Sequence, residues 1–308
     1  MVIEFSSGIR NFDQNQRKSL ARLLFDASDR GHFIEMSYPD RRWFEKEFLG
    51  SDLYYSLLDK EIMREAIGKW QAPASMSRIL SHVTFGDNPA DDIAGLDAII
   101  NEKSLVIVEN GYYDWSAIKR WIELYRKKKG YADINLLVFQ NASRRILDAA
   151  NGGGKDNIPN EATRLMPRYN GYHQVKLASI FDSDRTSGAD IDHNSVLKQK
   201  LDTRDIGWHE LEKRALENYF DWDCYAAIGC VTGSRPAHID EETWDYLHIQ
   251  NFINRQLDKA QRLNEYTKPK MVDLSAATDR QLMTSRLAHV GRTPDEIQAI
   301  ILSIAKII

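Results

Sequence analysis

An α/β fold with a parallel sheet, helices on both faces and mainly helical regions before and after it is the class this sequence predicts. Three observations lead there. SLVIVE at 104–109, INLLVF at 134–139 and VKLASIF at 175–181 are short continuous apolar runs, the pattern of strands buried on both faces. Segments with helical spacing alternate with these runs, and repeated alternation of strand and helix implies a parallel sheet. In such sheets functional groups gather at the carboxyl ends of the strands, and here two of the runs end in acids.

The first hundred residues read as mainly helical. KSLARLLFDASDR (18–30) and DLYYSLLDKEIMREAIGKWQ (52–71) place apolar side chains at helical spacing, and SYPDRRWFEKEF between them reads as a surface turn and helix. FGDNPADDIAG (85–95) has turn composition and connects this part to the next, with Asp91 and Asp92 as capping or solvated residues. From Ser104 the alternation begins. SLVIVE is the first strand, and YYDWSAIKRWIELYRKKK (112–129) an amphipathic helix. INLLVF is expected as the second strand, followed by the glycine-rich loop NGGGKDNI and a helix through EATRLMPRY. VKLASIF is the third, SVLKQKLD a helix, IGWHEL a fourth strand, and EKRALENYF a helix start. The rest is expected to be helical over ETWDYLHIQNFINRQLDKAQRL, DRQLMTSRLAHV and TPDEIQAIILSIAKII, the last opened by Thr293, Pro294 and Glu296. The expected divisions are 1–100, 101–235 and 236–308.

The 308 residues, 43% apolar with 31 Phe, Trp and Tyr, are enough for a real core, which excludes a disordered chain. Cys224 and Cys230, six apart, suit neither a zinc half-site nor a redox pair and read as buried thiols. No stretch approaches a membrane span and the N-terminus has no signal-like pattern, so a soluble cytoplasmic protein is expected. The net charge of -4 conceals a basic stretch from Trp115 to Lys176, with twelve Lys or Arg against five Asp or Glu. That local excess, with Lys127 and Lys128 in its densest run, suits a polyanion such as nucleic acid, or a solvated helix end where lysines favour the dipole.

Two acids in SIFDSDRTSG, Asp182 and Asp184, share one face if the strand continues through them. Such close carboxylates raise each other's pKa unless a cation lies between them. Glu109 ends a neighbouring strand in LVIVENGYYD, so in one parallel sheet the three acids meet at one edge. Oxygen donors without Cys or His select a hard cation such as Mg2+ or Mn2+. His238, His248 and His289 have no ligand spacing and read as structural or exposed.

These features resemble the Toprim domain of topoisomerases, primases and the overcoming-lysogenisation-defect (OLD) family of nucleases. The resemblance covers Ser104 to Phe220: Glu109 after the first strand, Asp182 and Asp184 after a later one, the loop NGGGKDNI, and HELEKRALENYF, similar to the H-x-L-x-x-R-x-x-E-N-Y segment of the nuclease branch. Two features depart from the pattern. Glycine comes one position late, in Glu109-Asn110-Gly111, and Asp114 lies five residues from the glutamate where the family often has an acid four away.

The resemblance implies a Toprim catalytic domain, with Glu109, Asp182 and Asp184 holding one ion and Glu217 and Asp114 assisting a second. It implies a metal-dependent endonuclease on DNA or RNA, including tRNA, with Lys213 as a catalytic cation. Lys155, Arg185 and Arg214, with Lys127 and Lys128, are the expected nucleic-acid contacts; Tyr112, Tyr113 and Trp115 are candidates for base stacking. The family setting further implies a toxic anti-phage effector, in an oligomer or complex with an ATPase on another chain, since no Walker motif occurs here. The competing expectation is a catalytically silent Toprim-fold subunit that binds nucleic acid or regulates such an ATPase.

Overall fold

Two parallel sheets organise the chain. The computed structural model describes residues 1–49, 57–68, 70–283 and 295–308. The first sheet lies in the region expected to be mainly helical. Its elements are β1 (Val2–Phe5), α1 (Gln14–Asp29), β2 (Phe33–Met36), α2 (Tyr38–Phe44), α3 (Leu57–Gly68), α4 (Ala74–Ser77), β3 (His82–Phe85) and α5 (Pro89–Asn101), with strand order β2-β1-β3. VIEF, FIEM and HVTF are four residues each and carry polar or charged side chains on an outer face, so none forms the continuous apolar run that betrays a buried strand. Helix α1 starts on a capping box: Asp13 accepts from the Asn15 and Gln16 amides, and the Gln16 side chain accepts from the Asp13 amide. Its Leu20, Leu23, Leu24 and Ala27 join Ile3, Phe5, Ile34 and Phe85 in a core of their own. The 52–71 helix is borne out over Leu57–Gly68; its first residues lie outside the described ones.

On the outer face of this sheet His82 ties three segments together. Its Nδ1 lies 2.7 Å from a Glu4 carboxylate oxygen and its Nε2 2.7 Å from the Ser77 carbonyl. Neither a carboxylate nor a carbonyl oxygen can donate, so these contacts favour a ring protonated on both nitrogens. The Ser77 carbonyl and then Glu4 raise the His82 pKa, and the same contact lowers that of Glu4. A pKa raised in the folded state stabilises fully below the unfolded value of about 6.5 and loses that effect as pH rises through the folded value. The depressed Glu4 sets the acid limit, its contribution fading as pH falls below about 4.3. The advantage in Tm of the wild type over His82→Gln is therefore expected to be largest near pH 5–6 and to shrink toward pH 8. Both side chains are more than a third exposed, so solvent keeps the difference small.

The second sheet, in the order β5-β4-β6-β7, comes from β4 (Ser104–Val108), α6 (Tyr113–Tyr125), α7 (Ala132–Ser143), β5 (Leu147–Asn151), α8 (Ile158–Leu165), β6 (Leu177–Phe181), α9 (Ser195–Asp202) and β7 (Gly207–Glu210). All its pairings are parallel, and every residue of β4 and β6 is buried. Period-two alternation divides the core. Val106, Val108, Ala178 and Ile180 face Trp115, Ile118 and Trp121 of α6, while Leu105, Ile107, Leu177 and Phe181 face α8 and α9. Helices thus cover both faces, as expected.

One strand is misassigned by the sequence. INLLVF lies inside α7, and β5 is the less apolar LDAAN that follows. Ile134, Leu137 and Val138 are buried at helical spacing while Leu136 is 44% exposed, so the run is one helix face plus a neighbour rather than a two-faced strand.

The C-terminal third is no separate flank. Helices α10 (Trp222–Ala227), α11 (Glu241–Tyr246), α12 (Ile249–Asn251), α13 (Met271–Ala277) and α14 (Glu296–Ala305) share the core of β4, β6 and α6. The long helix expected over 242–263 breaks at Leu247, which is extended. The Asn218 side-chain amide donates to the Trp244 and Leu247 carbonyls at 2.5 and 2.9 Å, taking acceptors that a continuing helix needs. Helix α14 is capped by Asp295; Thr293, Pro294 and most of the helix expected over 279–290 lie outside the described residues. Cys224 and Cys230 are buried thiols, as expected.

Candidate functional site

Because β4 and β6 are parallel neighbours, the residues that leave their carboxyl ends meet. Glu109 follows β4, Asp182 follows β6, and the Asp182 amide donates to Glu109 Oε1 at 3.3 Å. Asp182 Oδ1 also accepts from the Leu216 amide at 3.1 Å. Burial, then Glu109, pushes the Asp182 carboxyl well above the usual carboxylate range. Burial raises Glu109 as well, against the pull of Lys155.

Late glycine in the Glu-Asn-Gly sequence has a steric cause. A Cβ on Gly111 would lie 2.9–3.1 Å from Asn151 atoms at the end of β5, so only glycine permits that approach. Asn110 meanwhile turns the chain into α6, its Oδ1 accepting from the Tyr112 and Tyr113 amides and its own amide donating to Asp114 at 2.8 Å. The glycine-rich loop closes beneath: the Gly152 amide donates to the Val108 carbonyl and the Gly154 amide to the Glu109 carbonyl. It therefore fixes the backbone that carries Glu109.

Asp184 does not share a strand face with Asp182. Strand β6 ends at Phe181, and Asp184 has a left-handed φ of 58°, so the i, i+2 relation fails. Its carboxylate is 57% exposed and meets Lys155 Nζ at 2.5 Å; the same ammonium donates to the Asp182 carbonyl at 2.7 Å. Lys155, expected on a substrate phosphate, is thus an internal clasp on the Asp182–Asp184 turn.

Lys268 is the residue that sequence reasoning missed. It comes from the 268–270 turn before α13, and its ammonium lies 2.9 Å from Asp114 and 3.2 Å from Glu217. Burial works against that charge, but Glu217, Asp182 and Asp114 outweigh it and raise the Lys268 pKa. Burial pushes the Asp114 carboxyl up, opposed by Lys268. The two acids expected on a second ion therefore hold an ammonium. No spacing signal links Lys268 to them; only the packing of α13 on α6 does.

Other expected contacts are placed elsewhere. Lys213 is fully buried, 2.7 Å from Asp245, with its pKa pulled down by burial against Asp245; it cannot reach a substrate. Lys213→Ala is expected to cost about 3–5 kcal/mol by stranding a buried charge, and Lys213→Met with Asp245→Leu to recover part of it, as measured by chemical denaturation. Arg185 pairs with Glu210 at 3.1 Å. Lys127 and Lys128 follow α6, at the opposite edge of the sheet from the acids, and Lys128 pairs with Asp295 at 2.5 Å. Trp115 is buried, while Tyr112 is 69% exposed.

A cavity of about 190 Å3 opens at the acids, lined in part by Asp182, Asp184, Glu217, Lys268 and Arg214. A larger cleft of about 510 Å3 between α6, α7 and α13 has none of these acids in its lining. Among the described residues, only Glu4, Glu35 and His82 bring three potential ligand atoms within 4.8 Å of one another. Both His82 nitrogens are committed as donors, which argues against a cation there. At the strand-end acids the donor type fits Mg2+ or Mn2+, and burial, to which Glu109 adds at Asp182 and Asp114 and Asp184 add at Glu109, raises both carboxyls, a strain that a cation between them would relieve.

No protein-family model matches this chain, and no curated protein or solved structure does. Among the described residues no helix is long and apolar enough to cross a membrane.

Proposed function

We propose that this protein is a divalent-metal-dependent nuclease with a Toprim-like site, in which Lys268 replaces one of two expected ions. The observation that carries the reading is the meeting of Glu109 and Asp182 at adjacent parallel strand ends, beside an ammonium held by Asp114 and Glu217. Glu109 and Asp182 are the residues to hold Mg2+ or Mn2+, and Asp184 would join them only by leaving Lys155. When bound, the ion would polarise a phosphodiester and stabilise the leaving oxygen. Lys268 supplies fixed positive charge to the phosphoryl oxygens, and its two acid partners fix its position. Lys155 sets the Asp182–Asp184 turn, and Arg214, on the cavity wall, suits a phosphate oxygen.

One observation favours a second reading, a catalytically silent nucleic-acid-binding or regulatory subunit. Lys155 already pairs with Asp184, and Lys268 with Asp114 and Glu217, without a metal. A cleavage assay separates the two: with Mg2+ or Mn2+ the wild type should cut plasmid, single-stranded DNA or tRNA, while Glu109→Ala should not. Equal cutting by both proteins would reject the nuclease reading. The resemblance to defence nucleases extends the proposal to a cellular toxin working with a separate ATPase, so the assay includes any such partner.

A further inference from the structure

We infer that His248 and Gln250, with Arg214, form a subsite for a second phosphate of the substrate, next to the one that meets the acids. The inference rests on the nuclease reading for the first phosphate and on separate residues for the second.

The cavity at the acids has two kinds of lining. Asp182, Asp184 and Glu217 offer only acceptors when ionised, whereas Arg214, His248 and Gln250 offer donors. The acid wall, where Glu217 already holds the Lys268 ammonium, suits positive charge, and the donor wall suits an anion. A nucleotide chain needs both, because its scissile phosphate sits on the cation and the next phosphate follows within one nucleotide.

The donor wall is fixed by the chain break that the sequence did not reveal. Asn218 holds the Trp244 and Leu247 carbonyls, so residues 247–250 leave α11 and run along the rim beside the 216–219 turn. His248 then starts the next helical turn, its Nδ1 accepting from the Asn251 amide at 3.4 Å. An accepting Nδ1 puts the proton of the neutral ring on Nε2, which makes His248 a donor at its remaining nitrogen. The His248 and Gln250 side chains are exposed. Among the described residues, no hydrogen-bond acceptor or carboxylate engages the Arg214 guanidinium or the Gln250 side-chain amide. Arg214 is nonetheless held in place by its backbone, which donates to the Asp245 carbonyl and accepts from the Asp184 amide.

The test uses two small probes and no cleavage. In the presence of Ca2+, titration calorimetry compares thymidine 5′-monophosphate with thymidine 3′,5′-bisphosphate on the whole chain. The wild type is expected to bind the bisphosphate about tenfold more tightly, the effect of hydrogen bonds to one added charged group. In His248→Ala with Gln250→Ala that advantage should vanish while monophosphate affinity changes less than about twofold. His248→Asn, which keeps a capping acceptor but is too short to place a donor where Nε2 stands, should also lose most of the advantage, separating phosphate binding from helix capping. An equal advantage in wild type and variants, no advantage in wild type, or no binding of either probe would each overturn the subsite. Failure of cleavage with the bisphosphate preference intact would reject the nuclease reading and leave the subsite standing.

Discussion

Asp182→Asn is expected to abolish metal-dependent cleavage and, in the absence of metal, to raise the melting temperature. Asp182 is buried at the centre of the acids, where burial and Glu109 oppose its charge. Asparagine keeps the side-chain oxygen that accepts from the Leu216 amide but removes a buried charge and its repulsion of Glu109, Glu217 and Asp114, which together outweigh the lost attraction to Lys268. Relief of one such repulsion is worth about 1–2 kcal/mol, or roughly 1.5–3 °C in a chain of this size. The same change removes a ligand for the proposed ion, at a cost of about a thousandfold in rate if the ion supplies several kcal/mol of transition-state stabilisation. Calorimetry with and without Mg2+ checks both halves: the wild type should gain stability on adding metal and the variant little. A variant that melts lower without metal, yet still cuts, would reject both the repulsion and the ligand role.

Lys268→Met carries the second large effect. Methionine fills much the same volume, but Asp114 and Glu217 lose the cation between them, and their side chains are only 4% and 14% exposed. Removing one member of a fully buried ion pair costs about 3–5 kcal/mol, and since Lys268 is one-third exposed about 2–3 kcal/mol is expected. Cleavage should fall at least about a hundredfold, because fixed charge near the phosphate is lost. The decisive measurement is the response to metal. Mn2+ should raise the melting temperature of Lys268→Met more than that of wild type, since a second ion can then occupy the place of the ammonium. Lys268→Arg should behave more like wild type in stability. If Lys268→Met melts and cuts like the wild type, the ammonium is incidental.

The two sheets were unequally visible in the sequence. Strands β4 and β6 are buried on both faces, so they had to be continuous apolar runs, and they were readable as such. Strands β1, β2 and β3 present one face outward, and four residues with one or two polar positions are too few to reveal a period. INLLVF misled because an apolar run carries no mark of whether its neighbours lie across a sheet or around a helix.

Direction and position along the chain determined the core of the site. Once SLVIVE and VKLASIF were parallel strands, Glu109 and Asp182 had to leave the same edge, whatever the rest of the chain did. The sequence by itself therefore determined the α/β class, the strand-end acids and the glycine-rich loop beside them. Only the tertiary structure decided which charges meet. It turned Asp184 onto Lys155, buried Lys213 against Asp245, and brought Lys268 from beyond the expected catalytic domain to Asp114 and Glu217. The physical reason is range: apolar periodicity is imposed by each segment's own burial, whereas the partner of a charge is set by whichever distant segment packs beside it.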